Sequence, residues 1–387
     1  MKLAIDRRMV VPKVFYLFFY GSMAALSPFL TLHYQDVGLT GSQIGVLIGL
    51  VPLVRLLGGP LWSAVADVTQ RHKLMLLTTM SLTAICVYGI SQATTFVGLM
   101  AASVAMAFAV APIDALVDSA VLDMLGSRRE AYGQQRLWGA VGWGLAAPLV
   151  GQMAELYSPA WHFYGLYILM ALSMPLAWRL QMAPMARRVS FWRGLGGMVR
   201  TRWWALFLIT VFIASVGRSA SFGFMNLHLD DLGASRLLIG MAVTVAGFSE
   251  IPTFFYSGML LRRWGARVLV LLALGTSLIM LLGFGWVTTP SVLVLLQVFH
   301  GPAFAAIYVA GVYYAGLAAP PGLEATTRAM YGAVGALAMT IGGFVGGYLY
   351  DTVGALVLFR LAALLVAVAT AFYLFTHRPE TEGAGDA

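Results

Sequence analysis

The chain has 387 residues, 60% of them hydrophobic and 10% charged, with one cysteine and a formal net charge of +8. A mean hydropathy of +0.83 lies far outside the soluble range and identifies an all-α polytopic membrane protein. Cys86, alone, can form neither an intrachain disulfide nor a thiolate cluster, and the six histidines show no metal-ligand spacing, so neither metal nor organic cofactor is expected.

Long apolar runs with short polar breaks predict spans at 14–33, 42–63, 74–93, 97–121, 134–154, 162–181, 204–224, 237–258, 267–287, 291–315, 329–349 and 354–376. The first run is long enough to remain as a span rather than be cleaved as a signal peptide. Basic residues such as Arg71, Lys73, Arg128, Arg262 and Arg328 fall on alternate loops and the termini. The opposite loops carry Asp36, Glu155, Asp230, Asp231 and Asp351, with Arg236 the clear exception. By the positive-inside rule both termini are cytoplasmic, in a bacterial inner membrane. The basic balance thus reports topology, and no nucleic acid is implied.

Arg55 lies near mid-membrane in the second span, and the loop after it runs GPLWSAVADVTQRHK. Small residues there permit close helix approach, and Asp67 at the cytoplasmic end can pair with Arg71 or Lys73, a clasp that holds one conformation and releases in another. The plainer alternative is an ordinary positive-inside loop.

The stretch from Asp114 to Trp143 carries the most chemistry. With Ser127 at the middle of its turn, Asp118 precedes it by nine residues and Arg136 follows by nine (127 − 118 = 136 − 127 = 9). In an antiparallel helix pair both then lie about 13 Å from the turn, within the hydrocarbon. Asp114 and Asp118 share one helical face, and Arg136, Gly139 and Trp143 share another. An acid, a base and an indole can therefore converge on a cavity; a purely structural ion pair is the alternative.

The second half repeats the first. LHYQDVG at 32–38 reads against LHLDDLG at 227–233 with a constant offset (227 − 32 = 195), and Gly45 and Gly240 keep it. This divides the chain into a bundle over 1–181, a basic cytoplasmic linker over 182–203, a second bundle over 204–376 and a disordered tail over 377–387. The same offset sets Arg55 against Glu250. A carboxyl withdrawn from water can take up and release a proton, which makes Glu250 the first candidate for proton coupling and Asp118 or Asp114 the next. A carboxyl hydrogen-bonded to a neighbouring helix is the alternative. Arg218, embedded in the seventh span, can bind an anion or pair with Asp114 or Glu250, while Arg360 in the last span is expected to pair locally or snorkel.

The Gly-to-Asp-to-basic turn resembles the signature loop of the major facilitator superfamily, and YGQQRLWGAVGW at 132–143 resembles the fifth helix of its lactose permease, phenylpropionate permease and nucleoside/proton symporter branch. The resemblance implies twelve helices in two pseudo-symmetric six-helix bundles. It also implies that Arg136 and Trp143 bind and stack on a substrate ring, with Asp118 pairing with the arginine. His300 falls at the branch's tenth-helix histidine. The carboxylate expected three residues later is Ala303, and the ninth-helix arginine position is Met280.

The expected function is proton-coupled import of a small polar solute (a sugar, nucleoside or aromatic acid) by alternating access. Its binding residues would be Asp114, Asp118, Arg136, Trp143, Arg218 and His300, and its only partners the solute and the lipid bilayer, with no obligate protein partner. A proton-driven exporter of amphipathic compounds is the alternative within the fold, and a transport-inactive sensor or scaffold the alternative from another class. An enzyme is not expected, since no nucleophile–base pair is readable.

Overall fold

In hydrocarbon a chain must satisfy its backbone hydrogen bonds within each span, so apolar runs of membrane length become helices. The computed structural model describes residues 9–182, 202–320 and 323–376, apart from the side chains of residues 67, 127, 129, 130 and 325. The tail, nearly all of the expected linker and the side chain of Asp67 in the expected clasp lie outside the described residues.

The first bundle comprises α1 (Val10–Asp36), α2 (Gly41–Thr69), α3 (His72–Gln92), α4 (Phe96–Leu125), α5 (Tyr132–Leu156) and α6 (Trp161–Arg179). In the second, α7 (Arg202–Asp231) and α10 (Pro290–Ala318) are joined by two long helical stretches that glycines divide. Gly265 at φ +74° separates α8 (236–264) from α9 (266–286), and Gly354 at φ +79° separates α11 (324–353) from α12 (355–376). Eight stretches are long and apolar enough to cross a membrane, two of them divided in this way, and the more polar α5 and α6 complete a set of twelve among the described residues.

The sequence repeat is a repeat of local structure. Gly38 and Gly233 both take positive φ just after α1 and α7, where their N–H groups donate to the Gln35 and Asp230 carbonyls at 2.8 Å. Thr40 and Ser235 then cap α2 and α8, their hydroxyls accepting from the backbone N–H of Gln43 and Leu238.

The repeated glycines Gly45 and Gly240 mark the seam between bundles. A Cβ on Gly45 would sit 2.5 Å from the Gly343 carbonyl oxygen of α11, and one on Gly240 would sit 2.5 Å from the Ala147 carbonyl oxygen of α5. Two carboxylates close the same seam symmetrically. Asp351 accepts from the N–H of Gly41 at 2.6 Å, and Glu155 accepts from the N–H of Arg236 at 2.8 Å, so each bundle caps a helix N-terminus of the other. Arg236, the exception to the loop-charge pattern, also lies 3.8 Å from Asp36 and 3.7 Å from Asp230. Its place in this seal accounts for a cation among acidic loops. Tyr350 adds a hydroxyl bond to Asp231, which also accepts from Gln35 across the seam.

Candidate functional site

Below the seal the seam turns polar. On α1, Tyr16 and Tyr20 are one helical turn apart with their rings stacked at 6.0 Å. Opposite them, Pro112 interrupts α4 and Asp114 starts its second segment, which puts Asp114 and Asp118 on one face. The Tyr16 hydroxyl donates to Asp118 at 2.7 Å and the Tyr20 hydroxyl to Asp114 at 2.5 Å, while Tyr132 at the start of α5 also acts electrostatically on Asp118. Arg136 lies over the Tyr20 ring at 3.9 Å and the Tyr16 ring at 5.5 Å.

Gly139 allows this packing, because a Cβ there would lie 2.7 Å from Nη1 of Arg136 and 2.8 Å from the Tyr20 ring. Asp114, Asp118 and Arg136 therefore come together as the spacing predicts, but not as a direct ion pair. No carboxylate lies within 4 Å of the guanidinium among the described residues, because tyrosine hydroxyls occupy both acids. Sequence reading missed Tyr16 and Tyr20. Their i, i+4 spacing in α1 was the available signal, hidden among the many aromatics of that helix.

Trp143 stands two turns further along α5, packed on Ala24, Ala146 and Ala147. Its indole reaches toward Gly247 of α8, where a Cβ would lie 3.7 Å from the ring. Thr244 ties the same level together, donating to the Gly144 carbonyl at 2.6 Å. Glu250 follows on α8, about 21 Å along the helix from Arg236. His300 approaches it from α10, Nε2 to Oε1 at 3.6 Å, and stacks between Phe222 and Phe304. Close helix contact permits this, for Gly301 meets the backbone of Ser249.

Arg218 on α7 acts electrostatically on Glu250, His300 and Tyr331, with no carboxylate within 4 Å among the described residues; it does not pair with Asp114. The charge of Arg136 also reaches Glu250, so the two clusters face one another across the seam. Arg55 is exposed on α2 and bonds neither cluster among the described residues. Toward the basic loops, Arg71 precedes α3 and is exposed, and Lys73 lies over the Trp178 ring of α6 at 5.8 Å. Arg360 pairs locally, donating to the Gly285 carbonyl at 2.8 Å and lying over Trp286.

Two carboxylates held by tyrosine hydroxyls, an indole face and a guanidinium with no carboxylate partner among the described residues suit a polar ring solute. The model of the MFS_1 like family matches residues 10–361. The maltose permease of Geobacillus stearothermophilus is 29% identical over 98% of this chain and 97% of its own length. The probable 3-phenylpropionic acid transporter of Escherichia coli (strain K12) is 25% identical over 88% and 90%. Among solved structures, the nucleoside transporter NupG superposes with a TM-score of 0.84 at 17% identity, covering 95% of this chain and 98% of that one. A bacterial homologue of the human lysosomal transporter Spinster, inward-facing and unoccupied, gives 0.70 at 14% identity, covering 97% of each chain. The chain belongs to the MFS_1-like family and is a multi-pass membrane transporter of the major facilitator fold, not an enzyme.

Proposed function

We propose that this transporter is a proton-coupled symporter, importing a small polar ring solute by alternating access across a bacterial inner membrane with both termini cytoplasmic. The observation that carries the reading is the pairing of two unlike clusters across one seam. Asp114, Asp118, Arg136 and Trp143 offer hydrogen-bonding groups and a stacking face, while Glu250 beside His300 and Arg218 offers a carboxyl that can change protonation when the solute rearranges its neighbours. The seal at the acidic-loop end supports an inward-facing state in that orientation. Sugars, nucleosides and aromatic acids all suit the first cluster, and the relatives that carry maltose, nucleoside and 3-phenylpropionic acid in their names span the same range.

The test is solute-driven proton entry into proteoliposomes, with maltose, uridine and 3-phenylpropionate as first probes. One of them acidifies the lumen with the wild-type protein and fails with Arg136→Ala. If none does, while amphipathic cations drive proton release, the protein is an exporter and the symport reading falls.

A further inference from the structure

We propose that a proton taken up by the His33–His162 pair from the acidic-loop side releases the outer seal, by moving Asp36 from a partner in the other bundle to one in its own. The two rings, on α1 and α6, lie 5.7 Å apart and line a small cavity with Phe29, Asp36 and Arg236. Nε2 of each ring is buried without a hydrogen-bond partner among the described residues. Around them, the Ile90 carbonyl of α3 acts on His33 and the Pro159 carbonyl on His162, and the Phe163 ring meets His33 edge-on.

A neutral Nε2 is an acceptor, and protonation turns it into a charged donor that needs an acceptor of its own. Asp36 is the carboxylate in that cavity, and its present cationic partner is Arg236 across the seam. A charged imidazole next to Arg236 repels the guanidinium and competes for Asp36. Both cations then find carboxylates at home, the imidazolium with Asp36 in the first bundle and Arg236 with Asp230 in the second. An inter-bundle pair is exchanged for one new intra-bundle pair, while the existing Arg236–Asp230 pair is kept and Glu155 still holds the Arg236 backbone N–H. The Asp36 side chain is 52% exposed, which gives protons a way in. At the repeat-related position His228 meets the Phe359 ring, and Val357 stands where His162 has its counterpart (162 + 195 = 357), so this device belongs to one side of the seam.

The test needs no solute. Spin labels at exposed Thr94 and Thr288, one per bundle, report the outer opening by pulsed dipolar distance measurement in nanodiscs. The full chain carries Cys86→Ala, and Glu250→Gln removes the central carboxyl from the titration. Between about pH 8 and about pH 5.5 the long-distance population should rise roughly two- to five-fold, the range for loss of one partly exposed ion pair. His33→Gln with His162→Gln should abolish the rise, His162→Gln alone should reduce it, and Asp36→Asn should raise the long-distance population at both pH values. An equal rise in the histidine variants, or no rise without them, overturns the proposal.

Discussion

At the scale of single residues, two tyrosines stand between the acids and the arginine. Arg136 lies on the face of Tyr20, and the Tyr20 hydroxyl satisfies Asp114, so the cluster is hydrogen-bonded within the first bundle. Arg136→Lys keeps the charge but loses the planar fork and the ring contact. Solute affinity should fall at least about ten-fold, read by equilibrium binding, with the folded protein retained. Tyr16→Phe removes one donor to a partly buried carboxylate and should cost about 1–3 kcal/mol, visible as a lower unfolding temperature in detergent. Glu250→Gln tests another step. Solute exchange across the membrane should persist while solute-driven proton entry is lost; if exchange is lost as well, Glu250 holds substrate rather than the proton.

At the scale of helices, function depends on how closely backbones approach. Gly45 and Gly240 occupy the same repeat position and each faces a backbone oxygen of the other bundle. A β-branched side chain has nowhere to go at either, since the obstacle is backbone rather than a flexible tip. Gly45→Val and Gly240→Val should hold the acidic-loop end apart and slow the return to the sealed state, seen as a longer distance between labels at that end. Gly265, at φ +74° with no neighbour where a Cβ would stand, is constrained by conformation alone. Gly265→Ala should therefore cost about 1 kcal/mol of stability without altering the seal.

At the scale of the whole molecule, the seal is a pair of matching caps. Asp351 holds the start of α2 and Glu155 the start of α8, with Arg236 reaching Asp36 beside them. Asp351→Asn with Glu155→Gln weakens both charged caps at once and should shift the resting population toward an open acidic-loop end, measured by the same labels. Restoring only one carboxylate should recover part of the shift, because the caps act at opposite sides of the seam.

The sequence alone determined the twelve helices, the repeat and the gathering of charged residues between Asp114 and Trp143, because hydrophobic length, the offset of 195 residues (227 − 32) and helical spacing are all local or periodic properties of the chain. It also marked Arg236 as out of place among acidic loops without saying why. Tertiary structure alone decided that Arg136 meets tyrosine rings instead of a carboxylate, that Glu250 faces His300, and that Arg236 joins the two bundles. Those contacts link helices far apart in sequence, and which side chains meet there depends on how close the intervening glycines let the backbones come.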